Sequence, residues 1–288
     1  FDETVMMADA GSWLADGRQT QPAISGDAAD RTVMVPLKEE IQPGRVMTLL
    51  IPVNVTDFAG NGACPGEVRT GLPSEPLPGE IMFNELMPDP AQGCSEYTEL
   101  FNNSEKIFDL SALLLAGSSK AKATAITATH RQLLPGGYVA LTTGTEEFAD
   151  IYPCADEHSV FRAERLPALP DDGGTLILYD RNITIIDRVD YSPAMHMIFL
   201  SGTRGVALEK VIPGSASDVQ SNWHSATGNC NFGTPGAPNS VMIDDSSEEE
   251  GLSLSSGRIS PDGDGFEDVV SVGVFPGGEE NVISVTVF

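Results

Sequence analysis

The chain has 288 residues, and 16 Lys and Arg against 42 Asp and Glu give a formal net charge of −26. That length predicts two or three domains with room for a hydrophobic core. The charge repels phosphate backbones and anionic lipid surfaces, which argues against nucleic acid or a membrane as a direct partner, and no apolar run reaches membrane-spanning length.

The opening residues FDETVMMADAGSWLADGRQ hold neither a basic segment ahead of an apolar stretch nor a small-residue cleavage site, so they do not read as a signal peptide. The chain opens on a patterned segment and closes on the alternating run NVISVTVF, so both ends read as cuts in a larger protein. Between them, short alternating or apolar runs recur between Gly, Pro, Asn and Asp, whereas helical periodicity is nearly absent. In chain order the runs are RVMTLLIPVNV, EIMFNEL, EYTELFN, GYVALTT, GTLILYD, ITIIDRVDY and GVALEKV. They predict an all-β protein built of sandwiches. EEFADIY is the best candidate for a short helix, and LYDRNITII for a hairpin turning at Asp180, Arg181 and Asn182.

Two stretches predict boundaries. Residues 60–80 are rich in Gly and Pro, and residues 244–257 are acidic and serine-rich. They divide the chain into a first piece at 1–63, a linker at 64–78, a middle domain at 79–240, a second linker at 241–257 and a last piece at 258–288. The two outer pieces are short for complete sandwiches, which truncation explains.

Within the middle piece, Pro88 and Pro90 end a strand at NELMPDP and place Asp89 in a turn. Glu85 and Glu99 form a tempting acid/base pair, but paired carboxylates need unlike environments to divide the two roles. Neither a nucleophile nor a cleft signature accompanies them. Asp171 and Asp172 precede Gly173 and Gly174, where a turn suffices as the explanation and a metal is the rival. Asp187 lies in phase with Ile183, Ile185, Val189 and Tyr191, so its carboxylate faces the apolar side as a tie to backbone amides, unless a bulge turns it outward. His130, His158, His196 and His224 show no metal-ligand spacing, and no GxSxG elbow occurs. His224 reads as a half-buried neighbour of Trp223 at a sandwich edge. GTPGAPNS reads as a rigid exit strap.

The stretches GEIMFNELMPDP, SEYTELFNNSEKIFDLSALLLAG, LLPGGYVALTTG, LPALPDDGGTLILYDRNITIIDRVDYS, GVALEKV and NWHSAT with GTPGAPNS fall in one order across residues 79–240. In that order they resemble the lamin tail domain in its bacterial secreted form. The resemblance implies an immunoglobulin-like β-sandwich without enzymatic activity of its own, and a place in the cell envelope. More loosely, VTDFAGNG resembles the closing signature of a bacterial surface Ig-like domain, with Asp57 and Asn61 as turn formers. SPDGDGFEDVV resembles the start of an Ig-like module near the C-termini of secreted bacterial proteins. The whole then reads as a lamin-tail-type sandwich with partial Ig-like β modules on either side.

SPDGDGFEDVV also approximates a calcium loop, with Asp262, Asp264, the Phe266 carbonyl and Asp268 as oxygen ligands around Gly265. Ser260 and Ser271 stand where that template wants Asp and a bidentate Glu, so the alternatives are weak calcium binding and an Asx-type turn without metal. Four cysteines, at 64, 94, 154 and 230, lack zinc-site spacing. They read either as free buried thiols or, in an oxidising compartment, as two disulfides with three connectivities open, of which the one expected here joins Cys94 to Cys154 and Cys64 to Cys230. Function reads as a non-catalytic structural and interaction segment of a secreted or cell-surface protein, whose partners would be a cell-envelope protein or a glycan. The alternative is an accessory module of a secreted hydrolase whose catalytic domain lies elsewhere.

Overall fold

The computed structural model describes residues 4–7, 12–25, 31–53, 55–62, 66–118, 122–198, 200–243, 251–254, 258–260, 270 and 272–275. Among them there is no α-helix, only strands and short 3-10 turns. The segment EEFADIY, expected as a helix, supplies one such turn at Phe148–Asp150. The chain divides into two units, and strands are numbered along the chain.

The first unit comprises residues 1–75 together with 104–110 and 130–135. Its strands are β1 (Met6–Met7), β2 (Leu14–Ala15), β3 (Arg18–Gln19), β4 (Ile24–Ser25), β5 (Val33–Met34), β6 (Val46–Leu50), β7 (Val55–Thr56) and β8 (Glu67–Gly71), joined by β11 (Phe108–Asp109) and β14 (Gln132–Leu133). The largest sheet has the order β3-β2-β6-β8. Asp16 and Gly17 both take positive φ, 49° and 74°, between β2 and β3, the two-residue turn whose twist matches flanking strands. Val5, Trp13, Ala23 and Val55 form its core. β8 lies inside the stretch expected as a linker at 64–78; it pairs with β6 from Val46↔Gly71 to Leu50↔Glu67. A Cβ on Gly71 would stand 2.2 Å from the Arg45 carbonyl oxygen, so glycine is required where the two strands meet.

The second unit comprises residues 76–103, 111–129 and 136–288. It holds β9 (Ile81–Met87), β10 (Tyr97–Asn102), β12 (Leu113–Ala116), β13 (Thr124–Ala125), β15 (Tyr138–Thr142), β16 (Val160–Arg162), β17 (Gly174–Asp180), β18 (Ile185–Tyr191), β19 (Leu208–Lys210) and β20 (Trp223–Ser225), with β21 (Gly251–Leu254) and β22 (Val272–Phe275) as a separate pair. A six-stranded sheet in the order β16-β15-β10-β9-β19-β20 packs on a four-stranded sheet in the order β13-β12-β17-β18. Every residue of β9 is buried, because this central strand is covered on both faces. On β10, period-two alternation sends Thr98 and Leu100 one way and Tyr97 and Glu99 the other.

The Tyr97 face carries a second core. Met87, Tyr97, Ala140, Phe148, Tyr152, Val160, Ala207 and Ala226 cluster there, with Phe232 against them. Tyr97, Phe148 and Tyr152 meet with centroids 5.4 to 5.9 Å apart in tilted and edge-on geometry. The chain leaving β20 lies over this face and continues to Ile243, whose N–H donates to the Val211 carbonyl. The hairpin predicted in LYDRNITII is β17–β18. Its turn is closed by Asp180 Oδ1, which accepts from the Thr184 N–H at 2.7 Å.

Candidate functional site: a sealed rung of glutamates

Three glutamates stand side by side on adjacent strands. Glu99 of β10 is opposite Glu85 of β9, and Glu85 is opposite Glu209 of β19. The same rung runs on to Ala140 on one side and His224 on the other. All three glutamates are fully buried. Directly opposed like charges repel, and a carboxylate without solvent or a partner is costly, so the arrangement needs a physical explanation.

The exit strap supplies most of it. Thr234 donates its N–H to Glu85 Oε1 at 2.9 Å, and the Tyr97 hydroxyl donates to the same oxygen at 2.6 Å. Gly236 donates its N–H to Glu99 Oε2 at 2.6 Å, while Asn84 Nδ2 donates to Glu99 Oε1 at 2.7 Å. Glu209 Oε2 accepts from the Val241 N–H and the Ser240 hydroxyl, at 3.1 and 2.8 Å. Thr234 Oγ1 lies between the remaining pair, 3.1 Å from Glu85 Oε2 and 2.9 Å from Glu209 Oε1.

A hydroxyl has one hydrogen to give. Thr234 therefore donates to one of those carboxyls and accepts from the other, which must carry a proton. Electrostatics points the same way. Burial raises Glu85, and the Glu209 charge raises it further; burial likewise raises Glu99 and Glu209. The Tyr97 phenol is pushed well up by burial and by Glu85, so it stays a donor.

Local irregularities aim these side chains. The β9–β10 register shifts between Glu99 and Leu100, pairing Glu99 with Glu85 and Leu100 with Phe83, and Asn84 is the extra residue. Such a bulge re-aims a side chain. Asn84 thereby reaches both Glu99 and, at 2.6 Å, the Asn239 Oδ1 of the strap. Asn239 in turn donates to the Lys210 carbonyl at 2.8 Å. At Gly236, φ is 83° and a Cβ would stand 2.5 Å from the Asp156 carbonyl oxygen, so the strap can seat only with glycine there.

The buried Lys210 does not neutralise the rung. Alternation sends it to the other face, where Nζ donates to the Pro213 carbonyl at 2.7 Å and to the Ser215 carbonyl. Burial lowers this ammonium to about 8, with the Asp187 charge opposing. Asp187 itself is a tie to backbone: its Oδ2 accepts from the Phe83 N–H at 2.7 Å and from the Ser217 hydroxyl at 2.6 Å. A bulge is also present, with Ile186 as the extra residue between the Leu178↔Asp187 and Tyr179↔Ile185 pairs, yet Asp187 still points at β9.

The disulfide corrects the expected pairing. Cys154 is bonded to Cys230 across 76 residues, and Cys94 is a free thiol; Cys64 lies outside the described residues. The bond fixes the root of the strap to the segment after Phe148–Asp150, and Asn231 Nδ2 adds a bond to the Ile151 carbonyl at 2.8 Å. Two loop positions suggested Cys94 for Cys154, but the strap's return path over the Tyr97 face places Cys230 there instead.

The histidines occupy separate places. His130 Nδ1 is 2.5 Å from Asp109 Oδ2 in the first unit. His196 is buried, 3.0 Å from Ser225 Oγ, and desolvation lowers it to about 4. His224 is half-buried on the edge strand β20. Asp57 and Asn61 close a turn on each other, at 2.8 and 2.7 Å, and Gly173, φ 111°, turns the chain into β17 after Asp171 and Asp172. Among the described residues no group of three or more His, Cys, Asp or Glu side chains could hold a metal ion. The calcium candidates Asp262, Asp264, Phe266 and Asp268 lie outside the described residues.

Glu85 and Glu99 were visible in the sequence; Glu209 and Thr234 were not singled out. The usable signal was a glutamate at the centre of each of three strand-like runs, FNELM, YTELF and ALEKV.

Residues 74–193 match the family model described as Lamin Tail Domain. The match supports a lamin-tail Ig-like domain, a non-enzymatic β-sandwich family, and the all-β sandwich agrees with it. β19, β20 and the strap lie beyond the matched residues. Among solved structures, a DUF4876 family protein from Bacteroides thetaiotaomicron VPI-5482 is similar at 12% identity and a TM-score of 0.30, over 71% of this chain and 83% of that chain. No curated protein matches the chain. Among the described residues no helix is long and apolar enough to cross a membrane.

Proposed function

We propose that the chain is a non-catalytic structural and interaction segment of a multidomain secreted or cell-surface bacterial protein, with a lamin-tail-type sandwich between Ig-like modules. The sealed glutamate rung carries this reading. Each of its six carboxyl oxygens is engaged in a hydrogen bond within the protein, and the strap covers them. An acid/base pair must reach a substrate's proton, and these carboxyls instead hold the strap to the sheet. The Cys154–Cys230 bond favours an oxidising compartment, and the charge of −26 suits a soluble extracellular surface.

The purified chain should not turn over nuclease, protease or glycosidase substrates. Turnover abolished by Glu85→Gln or Glu99→Gln, or by changing His130, His196 or His224, would overturn the proposal. Cell-envelope proteins and glycans remain the partner classes this reading favours. An accessory role beside a hydrolase domain is the second reading, because the charge and disulfide fit it equally. The loop at Asp262, Asp264, Phe266 and Asp268 would bind calcium at about 10⁻⁴ to 10⁻³ M. Millimolar calcium should then raise the melting temperature, and Asp264→Ala should remove the shift.

A further inference from the structure

The chain holds one Asn-Gly pair, Asn61-Gly62, at the end of the turn that follows β7. Asp57 gathers this turn with both carboxyl oxygens: Oδ1 accepts from the Asn61 N–H at 2.8 Å, and Oδ2 from Asn61 Nδ2 at 2.7 Å. The Asp57 N–H donates to the Asn61 carbonyl at 2.9 Å, and Thr56 bridges to Gly62 just beyond. Opposed residues of antiparallel strands alternate between pairs joined by hydrogen bonds and pairs that are not. Asp57 and Asn61 are of the first kind, so Gly62 is of the second and its N–H points away from Thr56. Asn61 and Gly62 are both exposed. Apart from its chain neighbours, nothing lies within 4 Å of where a Gly62 Cβ would stand.

A side-chain amide carbon is thus followed by an unshielded backbone nitrogen, and glycine gives that nitrogen the freedom to swing toward it. We propose that Asn61 is a site of spontaneous modification, with water as its co-reactant. The Gly62 nitrogen gives its proton to hydroxide and attacks Asn61 Cγ. The new N–C bond closes a succinimide ring, the Cγ–Nδ2 bond breaks, and Nδ2 takes a proton from water and leaves as ammonia. Water then opens the ring at either carbonyl, giving aspartate or isoaspartate with no change of oxidation state. Either product loosens the turn. A carboxylate at position 61 has no Nδ2 hydrogen to give Asp57, and like charges set opposite each other repel. Isoaspartate also adds a carbon to the backbone before Gly62, which breaks the register of the bridge to Thr56.

Peptide mapping by mass spectrometry, on the full chain held for weeks in mildly alkaline buffer, tests the site. Asn61 should convert well ahead of the exposed Asn103 and Asn182, which precede Ser104 and Ile183. Gly62→Ala, whose added Cβ meets open space, should slow the conversion by about fivefold, through the conformational freedom it removes. In Asn61→Asp, which is the aspartate product itself, amide exchange at Asp57 should be about five- to tenfold faster than in the parent, for one hydrogen bond lost and one repulsion gained. Conversion of Asn61 no faster than of Asn103, or unaltered by Gly62→Ala, would show that Asp57 holds the amide away from the Gly62 nitrogen and would overturn the proposal. Unchanged exchange at Asp57 in Asn61→Asp would overturn the loosening of the turn.

Discussion

At the residue scale, the proton held between Glu85 and Glu209 has a measurable consequence. Their folded-state pKa values lie above the ordinary carboxyl value of 4.5, in the range of about 7 to 8 for the pair. The folded state therefore binds more protons than the unfolded one. The rung's stabilising contribution is complete below about pH 4.5 and is lost as pH rises through about 7 to 8. Glu85→Gln mimics the protonated acid, since its amide can donate to Thr234 Oγ1 while its carbonyl accepts from Tyr97 and the Thr234 N–H. It should match the parent at pH 4.5 and exceed it at pH 8 by on the order of 3 kcal/mol, read by urea denaturation at both values. Asp190 and Glu146 have lowered pKa values that work in the opposite sense, so the difference between variant and parent is the informative quantity. Equal destabilisation at both pH values would show that the carboxyls act as anions. Sequence made Glu85 and Glu99 visible, because a charged residue inside an apolar run is conspicuous. It did not make their adjacency to Glu209 visible, since register between β9 and β19 is a long-range property set by the fold.

At the element scale, the strap depends on its root and on one glycine. Reducing the Cys154–Cys230 bond should cost about 2–4 kcal/mol, seen as a lower denaturant midpoint for the Cys154→Ser, Cys230→Ser double variant. Gly236→Ala adds a Cβ 2.5 Å from the Asp156 carbonyl oxygen at a φ of 83°. It should destabilise by about 1–3 kcal/mol, and a neutral result would mean that the strap seats in another way. Elements with a strong local signature were legible: β9, β10, β17 and β18 fall where alternating runs placed them. β8 was not, because EVRTG is polar and exposed and its pairing with β6, not its own pattern, makes it a strand. The two bulges were equally out of reach, since each is one residue of mismatch between partner strands. The disulfide failed for a related reason, in that cysteine spacing carries no record of where the strap returns.

At the scale of the whole molecule, residues 79–240 looked like a self-contained domain in sequence, yet residues 104–110 and 130–135 cluster with residues 1–75. Within that first unit, Ile107 donates its N–H to the Gly44 carbonyl at 3.1 Å and accepts from the Ser74 N–H at 3.0 Å. Ile107 and Phe108 are fully buried. A fragment cut at 79 and 240 should keep β-type circular dichroism but bind a hydrophobic dye, and unfold at lower urea than residues 1–243, by up to about 3–6 kcal/mol for two newly exposed side chains. Equal midpoints would show that the sandwich needs nothing from residues 1–75. If the strap permanently closes the glutamate rung, amide hydrogen exchange in the intact chain at Thr234, Gly236 and Val241 shows it most directly. These three N–H groups donate to Glu85, Glu99 and Glu209, and they should exchange as slowly as the amides of β9 and β10, through global unfolding. Exchange at the rate of an exposed loop, with β9 and β10 still protected, would show that the strap opens and bares the carboxyls, contradicting a sealed structural site.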